Sequence, residues 1–231
     1  MSLRVDLNCD LGEGAGHDAE LMAVITSANI ACGAHAGDEA TMGATVALAR
    51  QHGVAIGAHP GFADRENFGR REWVLAATEV RALVERQVRA LQQIGTVVHV
   101  KPHGALYNLA ARDAVIAEAV AGAVHAVDAR LVLFALRGSE LVRAGRRVGL
   151  RVAEEVFADR TYRADGALTP RAEAGAVITD EAVAIAQALR MVRAGADTIC
   201  LHGDGAHAAG LARRLHVELR QSGIEIRAFG V

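Results

Sequence analysis

The chain has 231 residues, 52% of them hydrophobic and only 3% aromatic, and a formal net charge of −2. That length suits one α/β barrel better than two domains, and the near-neutral charge excludes an electrostatic footprint for nucleic acid or an anionic membrane. The N-terminus carries no signal-peptide pattern, no run approaches about 18 uncharged apolar residues, and the three cysteines (Cys9, Cys32, Cys200) form neither a disulfide framework nor a CxxC motif, so a soluble protein of the reducing cytoplasm is expected.

Strand-like runs are expected at 4–9, 28–32, 54–58, 97–101, 130–135, 151–156, 198–201 and 224–228, with alanine-rich helical patterns between them. Strand alternating with helix implies a parallel sheet. Seven or eight such units without a linker favour a closed, TIM-like (β/α) barrel spanning 1–231 over an open sheet. Gly53, Gly95, Gly195 and Gly223 each follow a helical run and precede a strand, where a left-handed C′ residue is needed. Before Gly95, Val80, Leu83, Val84, Leu91 and Ile94 form one helical stripe of the kind that packs on a sheet. Residues 159–178 form the longest loop-like segment, a candidate lid.

In a parallel barrel the outward strand face packs on helices, so polar residues at alternate positions point inward. Three runs show this: Asp6, Asn8 and Asp10; His99, Lys101 and His103; Thr198, Cys200, His202 and Asp204. Lys101 is the sole lysine among otherwise arginine cations. Packing alone does not place unpaired charges inside a barrel, because each costs several kcal/mol. These groups should therefore face one another and a ligand at the carboxyl ends of the strands. His35, His59, Glu154 and Glu155 are further polar strand ends. Blander roles stand beside this: His99 as a hydrogen-bonded core residue, Asp6 as a plain ion-pair partner of Lys101, one of the two glutamates bound to a neighbouring arginine, and the cysteines as small apolar fillers.

At these residues the chain resembles the LamB/YcsF family. The segments that carry the resemblance are Asp6-Leu7-Asn8-Cys9-Asp10-Leu11-Gly12-Glu13-Gly14, Thr26-Ser27-Ala28-Asn29-Ile30-Ala31-Cys32-Gly33, His35-Ala36-Gly37-Asp38 and Ile56-Gly57-Ala58-His59-Pro60-Gly61-Phe62. Phe68-Gly69-Arg70-Arg71, His99-Val100-Lys101-Pro102-His103-Gly104-Ala105-Leu106-Tyr107-Asn108, Glu154-Glu155-Val156-Phe157-Ala158-Asp159-Arg160 and His202-Gly203-Asp204 continue it in order over nearly the whole chain. Ala34, Glu39, Ala63 and Arg86 depart from the family's usual Phe, Pro, Pro and Tyr, and none of these removes a candidate acid, base or ligand.

The family is associated with the A subunit of the bacterial ATP-dependent 5-oxoprolinase. The resemblance thus implies cleavage of 5-oxo-L-proline to L-glutamate coupled to ATP hydrolysis, with Mg²⁺, in assembly with subunits B and C. It also implies a distorted seven-stranded barrel of the glycoside hydrolase/deacetylase type. No GxxxxGK[ST] motif is present, so any nucleotide site is not a P-loop. For this chemistry Lys101 is assigned to a developing oxyanion or transferred phosphoryl group, His59 or His103 to proton movement, and Asp10 or Glu13 to the water or Mg²⁺. Arg70, Arg71 and Arg160 are assigned to the substrate carboxylate or phosphates, with Asp6, Asn8, His35, Glu154, Glu155, His202 and Asp204 completing the binding set. Two alternatives are a stand-alone metal-dependent hydrolase such as a carbohydrate deacetylase, with Asp10, His59 and His103 as ligands, and a scaffold subunit without chemistry of its own.

Overall fold

Seven parallel strands close on themselves in this computed structural model, which describes residues 3–202 and 208–230. β1 (Arg4–Leu11) pairs with β2 (Ser27–Ala31), and the order continues through β3 (Ala55–His59), β4 (His99–Val100), β5 (Val132–Leu136) and β6 (Arg151–Phe157) to β7 (Thr198–Leu201). β7 returns to β1 with Asp6 opposite Thr198 and Asn8 opposite Cys200, which shuts the barrel. The last strand, β8 (Glu225–Ile226), pairs only with Arg4 and Val5, before β1 enters the barrel, so the barrel has seven staves.

Helices connect the strands: α1 (Asp18–Met22), α2 (Glu39–His52) and α3 (Ala77–Gln92) after the first three, then α4 (Gly104–Arg112) and α5 (Ala114–Val127) together after β4. α6 (Glu140–Arg147), α7 (Glu181–Arg193) and α8 (Ala208–Gln221) follow β5, β6 and β7. Asp38, Asp113, Ser139 and Asp180 cap four of them, each side chain accepting from backbone N–H groups of the first turn. The outward residues of β1 (Val5, Leu7, Cys9) are fully buried under the helices. The α3 stripe of Val80, Leu83, Val84 and Leu91 is buried as expected.

Gly53, Gly195 and Gly223 adopt φ of 68°, 90° and 73°, the left-handed helix exits expected. Gly95 does not. There a Cβ would come 2.9 Å from Val46 Cγ1, so this glycine serves close packing on α2 rather than chain reversal. The fourth strand is shorter than its apolar run, although Lys101 N–H still donates to Ala58 O at 3.0 Å. Pro102, which has no N–H, ends the ladder there.

The 159–178 segment is folded back on itself by two antiparallel bridges, Arg160 to Val177 and Tyr162 to Leu168. Buried Arg160 ties it together, donating Nε to Ala176 O at 3.1 Å and Nη2 to Thr169 O at 2.5 Å. The segment overhangs the carboxyl ends of the strands, so its residues wall the cavity described next.

Candidate active site

The inward polar residues divide into a floor and a mouth. On the floor, Asp6 accepts hydrogen bonds from Ser27 Oγ (2.7 Å), Thr26 Oγ1 (2.7 Å) and Thr198 Oγ1 (2.5 Å). Burial raises its pKa to about 6. The Asp6–Lys101 pair that the sequence left open is not formed. Above Asp6, Asn8 donates to Glu155 Oε1 and Thr198 Oγ1, and Asn29 donates to Asn8 Oδ1 and Asp10 Oδ1. His99 Nε2 meets Asn29 Oδ1 at 2.9 Å, and its ring stacks on Phe134 at 4.3 Å. A Cβ at Gly57 would fall inside that ring. Burial lowers the His99 pKa to about 3, so it is a neutral core histidine, the blander of its two readings.

Lys101 stands where floor becomes mouth, with 2% of its surface exposed. Its Nζ lies 2.7 Å from Asp10 Oδ1, 3.3 Å from Glu155 Oε1 and 2.9 Å from Cys200 Sγ, and 5.3 Å from the Phe157 ring centre. Burial opposes its charge, but Asp10 and Glu155 together hold the ammonium well above the ordinary lysine range. Burial likewise opposes ionisation of Asp10, and the neighbouring His59 and Lys101 overcome it, so Asp10 stays far below the usual carboxylate range. Tyr107 Oη, from the first turns of α4, donates to Glu155 Oε2 at 2.6 Å and fixes that carboxylate.

Beyond Lys101, the end of β3 and the loops after β1, β2 and β4 bring His59 together with Glu13, His35 and His103, one donor atom from each lying within 4.8 Å of the others. Glu13 Oε1 is 3.2 Å from His35 Nε2 and 3.3 Å from His103 Nδ1. The His35 and His103 rings stack 3.7 Å apart with planes 2° from parallel. Burial lowers the His35 pKa to about 4 and lowers that of His103. Backbone makes room for this cluster. A Cβ at Gly61 would come 2.8 Å from His35 Nδ1, and one at Gly69 would come 2.8 Å from His35 Cβ. Phe68, beside Gly69, takes φ 55°, a costly conformation for a bulky side chain, and its carbonyl meets His103 Nε2 at 2.8 Å.

Asp10, Glu13, His59, Lys101 and His103 line a cavity of about 890 Å³. Seven arginines also line it, among them Arg70, Arg137, Arg143, Arg160 and Arg171, so an anion entering it meets a field of positive charge. His202 lines it too, with Nδ1 2.9 Å from Asp159 Oδ2 and its ring stacked on Phe157. Several expected residues lie elsewhere. Asp6 and Asn8 sit below the cavity, although Asn8 Oδ1 is 3.5 Å from Lys101 Nζ. Glu154 faces outward and pairs with Arg146 at 2.7 Å, while Arg71 is exposed outside the cavity lining. Asp204 lies outside the described residues. Of the three expected metal ligands, His59 and His103 fall in the Glu13–His35 cluster, whereas Asp10 borders it: its Oδ1 serves Lys101 and Asn29, and its Oδ2 lies 3.4 Å from His59 Nε2.

The sequence reasoning missed Tyr107, Asp159, Cys200 as a lysine contact, and the rim arginines Arg137, Arg143 and Arg171. Tyr107 and Asp159 fall inside the segments that carried the family resemblance, which is the signal that could have found them. The arginines come from loops and helix starts, where no alternation marks direction.

Residues 5–231 match the sequence profile of the LamB/YcsF family. The chain belongs to that family. A LamB/YcsF relative, the A subunit of 5-oxoprolinase from Geobacillus kaustophilus (strain HTA426), is 53% identical over 97% of this chain and 96% of its own length. The crystal structure of a lactam utilization protein from Thermus thermophilus superposes with a TM-score of 0.91 at 44% identity, over 98% of this chain and 100% of that one. A family 4 carbohydrate esterase from Streptomyces lividans shares the barrel alone, with a TM-score of 0.50 and 12% identity over 96% of this chain and 91% of that one. The deacetylase-type barrel expected for a LamB/YcsF chain is therefore the one observed. Among the described residues no helix is long and apolar enough to cross a membrane.

Proposed function

We propose that this chain is the ring-opening subunit of an ATP-dependent 5-oxoprolinase that works with subunits B and C. One observation carries the reading: a single buried ammonium, Lys101, is held charged by Asp10 and Glu155 at the base of an arginine-walled cavity. The relatives named for 5-oxoprolinase and lactam utilization support the substrate class.

A five-membered lactam is a resonance-stabilised amide with little ring strain, so its opening needs coupling to ATP. Transfer of the γ-phosphoryl group to the amide oxygen releases ADP and leaves an activated imidate. Water adds to its carbon, the ring C–N bond breaks with protonation of nitrogen, and a second water hydrolyses the resulting acyl phosphate to glutamate and phosphate. Lys101 stabilises negative charge on the amide oxygen or its phosphoryl group, because a fixed ammonium in a low-dielectric site needs no reorganisation as charge develops. Rim arginines such as Arg70 and Arg171 take the carboxylate and phosphate oxygens. Glu13, His59 and His103 form the water-activating side of the cavity. Mg²⁺ accompanies the nucleotide phosphates.

The test is glutamate release from 5-oxoproline and ATP, with and without subunits B and C. ATP-dependent release only in the complete mixture is expected. Release without ATP, or its persistence in a mixture lacking this chain, overturns the proposal.

A further inference from the structure

The geometry points to a binding site for one divalent transition-metal ion of the zinc class, held by Glu13 Oε1, His59 Nε2 and His103 Nδ1 at the mouth of the barrel. The argument begins with where the protons must be. His59 Nδ1 lies 2.7 Å from Lys101 O, and His103 Nε2 lies 2.8 Å from Phe68 O. A backbone carbonyl can only accept, so each of these nitrogens carries the hydrogen. In the neutral rings the other two nitrogens, His59 Nε2 and His103 Nδ1, then present lone pairs, and they face each other 3.0 Å apart. Glu13 Oε1 is the third electron-rich atom, 3.3 Å from His103 Nδ1 and 3.8 Å from His59 Nε2. Three lone pairs converging in a buried space repel unless a cation or a proton stands among them.

The spacing fits a metal. A triangle with sides of 3.0, 3.3 and 3.8 Å has one point about 2.0 Å from all three corners, which matches zinc–nitrogen and zinc–oxygen bonds of roughly 2.0–2.2 Å. Two imidazoles and a carboxylate are borderline ligands that suit zinc, cobalt or manganese better than calcium or magnesium. The surroundings match those of metal ligands as well. Both histidines are fixed in tautomer and orientation through their second nitrogen, which is how ligating histidines are usually held. His35 Nε2 donates to Glu13 Oε1 and aims that carboxylate, while its own Nδ1 is buried without a partner among the described residues. Phe68 adopts its left-handed conformation where its carbonyl serves His103, so backbone strain is spent on orienting a ring whose free nitrogen otherwise meets only acceptors. The competing account places a proton between the rings and makes one of them an imidazolium in a buried site.

Glu13, His59 and His103 line the cavity and His35 does not, so an ion there has an open side toward the cavity. A water on that side would be acidified to near neutrality and would serve as the nucleophile. That last step rests on the lactam reading; the metal site itself does not.

The experiment is metal binding read without substrate. The full chain is stripped with chelator, checked for retained fold by circular dichroism, loaded with Zn²⁺ or Co²⁺, desalted and analysed for metal by mass spectrometry. About one ion per chain is expected, with a visible absorption band for the cobalt form. Glu13→Gln, His59→Gln and His103→Gln should each weaken binding about 10-fold or more. A folded wild-type chain that retains less than about a tenth of an ion overturns the site, as does full retention in a folded His59→Gln/His103→Gln double variant. If the histidine variants do not fold, the wild-type stoichiometry and Glu13→Gln decide it. A chain that binds no metal yet releases glutamate with its partners sinks the metal and leaves the lactam reading standing; a metal-replete chain without ATP-dependent lactam turnover does the reverse.

Discussion

The floor and the mouth of this barrel are built from the same kinds of side chain, yet they end in opposite states. On the floor Asp6, Asn8, Asn29, Thr198 and His99 satisfy one another, and the network is closed. At the mouth Glu13, His59 and His103 turn electron-rich atoms toward one another beside a cavity, and Lys101 sits between the two regions with carboxylates around it. A saturated polar network holds strands in register and has nothing left to offer a substrate. An incompletely matched one is costly to keep, and the cost is accepted where chemistry needs it.

Substitutions can break this comparison, and the largest effect belongs to the boundary residue. Lys101→Met leaves Asp10 and Glu155 buried without their cation and should cost about 3–5 kcal/mol, read as a fall in the urea midpoint. Lys101→Arg keeps the charge but replaces a compact ammonium by a planar fork. With the fold intact, turnover in the complete 5-oxoprolinase mixture should drop about 100-fold or more, and near-normal turnover would show that the compact cation is not needed. On the floor, Gly57→Ala pushes a methyl into the His99 ring and should destabilise by about 1–3 kcal/mol through overpacking alone.

A subtler contrast is in pH dependence. His35 at the mouth and His99 on the floor have pKa values lowered to about 4 and about 3. Both are neutral when folded and take up protons near pH 6.5 when unfolded, so their contribution is present above that pH and is lost as pH falls. Asp6 runs the other way. Its folded pKa, raised to about 6, means the native state keeps a proton that the unfolded chain has released, so its contribution is lost as pH rises from about 4 to 6. Between those values the protons of His35 and His99, joined by that of His103, outweigh the one aspartate proton, and stability should rise with pH by about 1 kcal/mol per unit or more. Asp6→Asn removes the opposing group and should steepen that slope in denaturation series while leaving turnover unchanged. A loss of turnover would place Asp6 in the machinery and erase the distinction between floor and mouth. The smallest effect is expected of Glu154→Gln, which breaks an exposed pair with Arg146: stability within about 1 kcal/mol and unaltered activity.

Alternation made most of the inward face legible beforehand. Asp10, Lys101 and Cys200 point inward as strand period demands, and the repeated strand–helix–glycine order gives the seven or eight units of which seven close the barrel. Alternation also separates Glu155, inside, from Glu154, outside, a distinction the paired reading of the two left open. It says nothing once the chain leaves the strand. The approach of Glu13 and His35 to His103 depends on loop paths set by Gly61, Gly69 and the unusual backbone of Phe68, and no period encodes those. The arginine rim was hidden for the same reason, and Gly95 was misread because a glycine kept for close packing looks in sequence like one kept for its backbone angle.

The three buried thiols have a practical use. Burial holds the pKa values of Cys9 and Cys200 well above the ordinary thiol value, and that of Cys32 is raised to about 12 by the same cause. A thiol-directed reagent at neutral pH therefore finds almost no thiolate in the closed barrel. Each cysteine sits on or beside a different stave, β1, β2 or β7, at the seam where the ring closes. The rate at which they are alkylated becomes an intrinsic clock for the opening of that seam, readable by mass without adding any label to the chain.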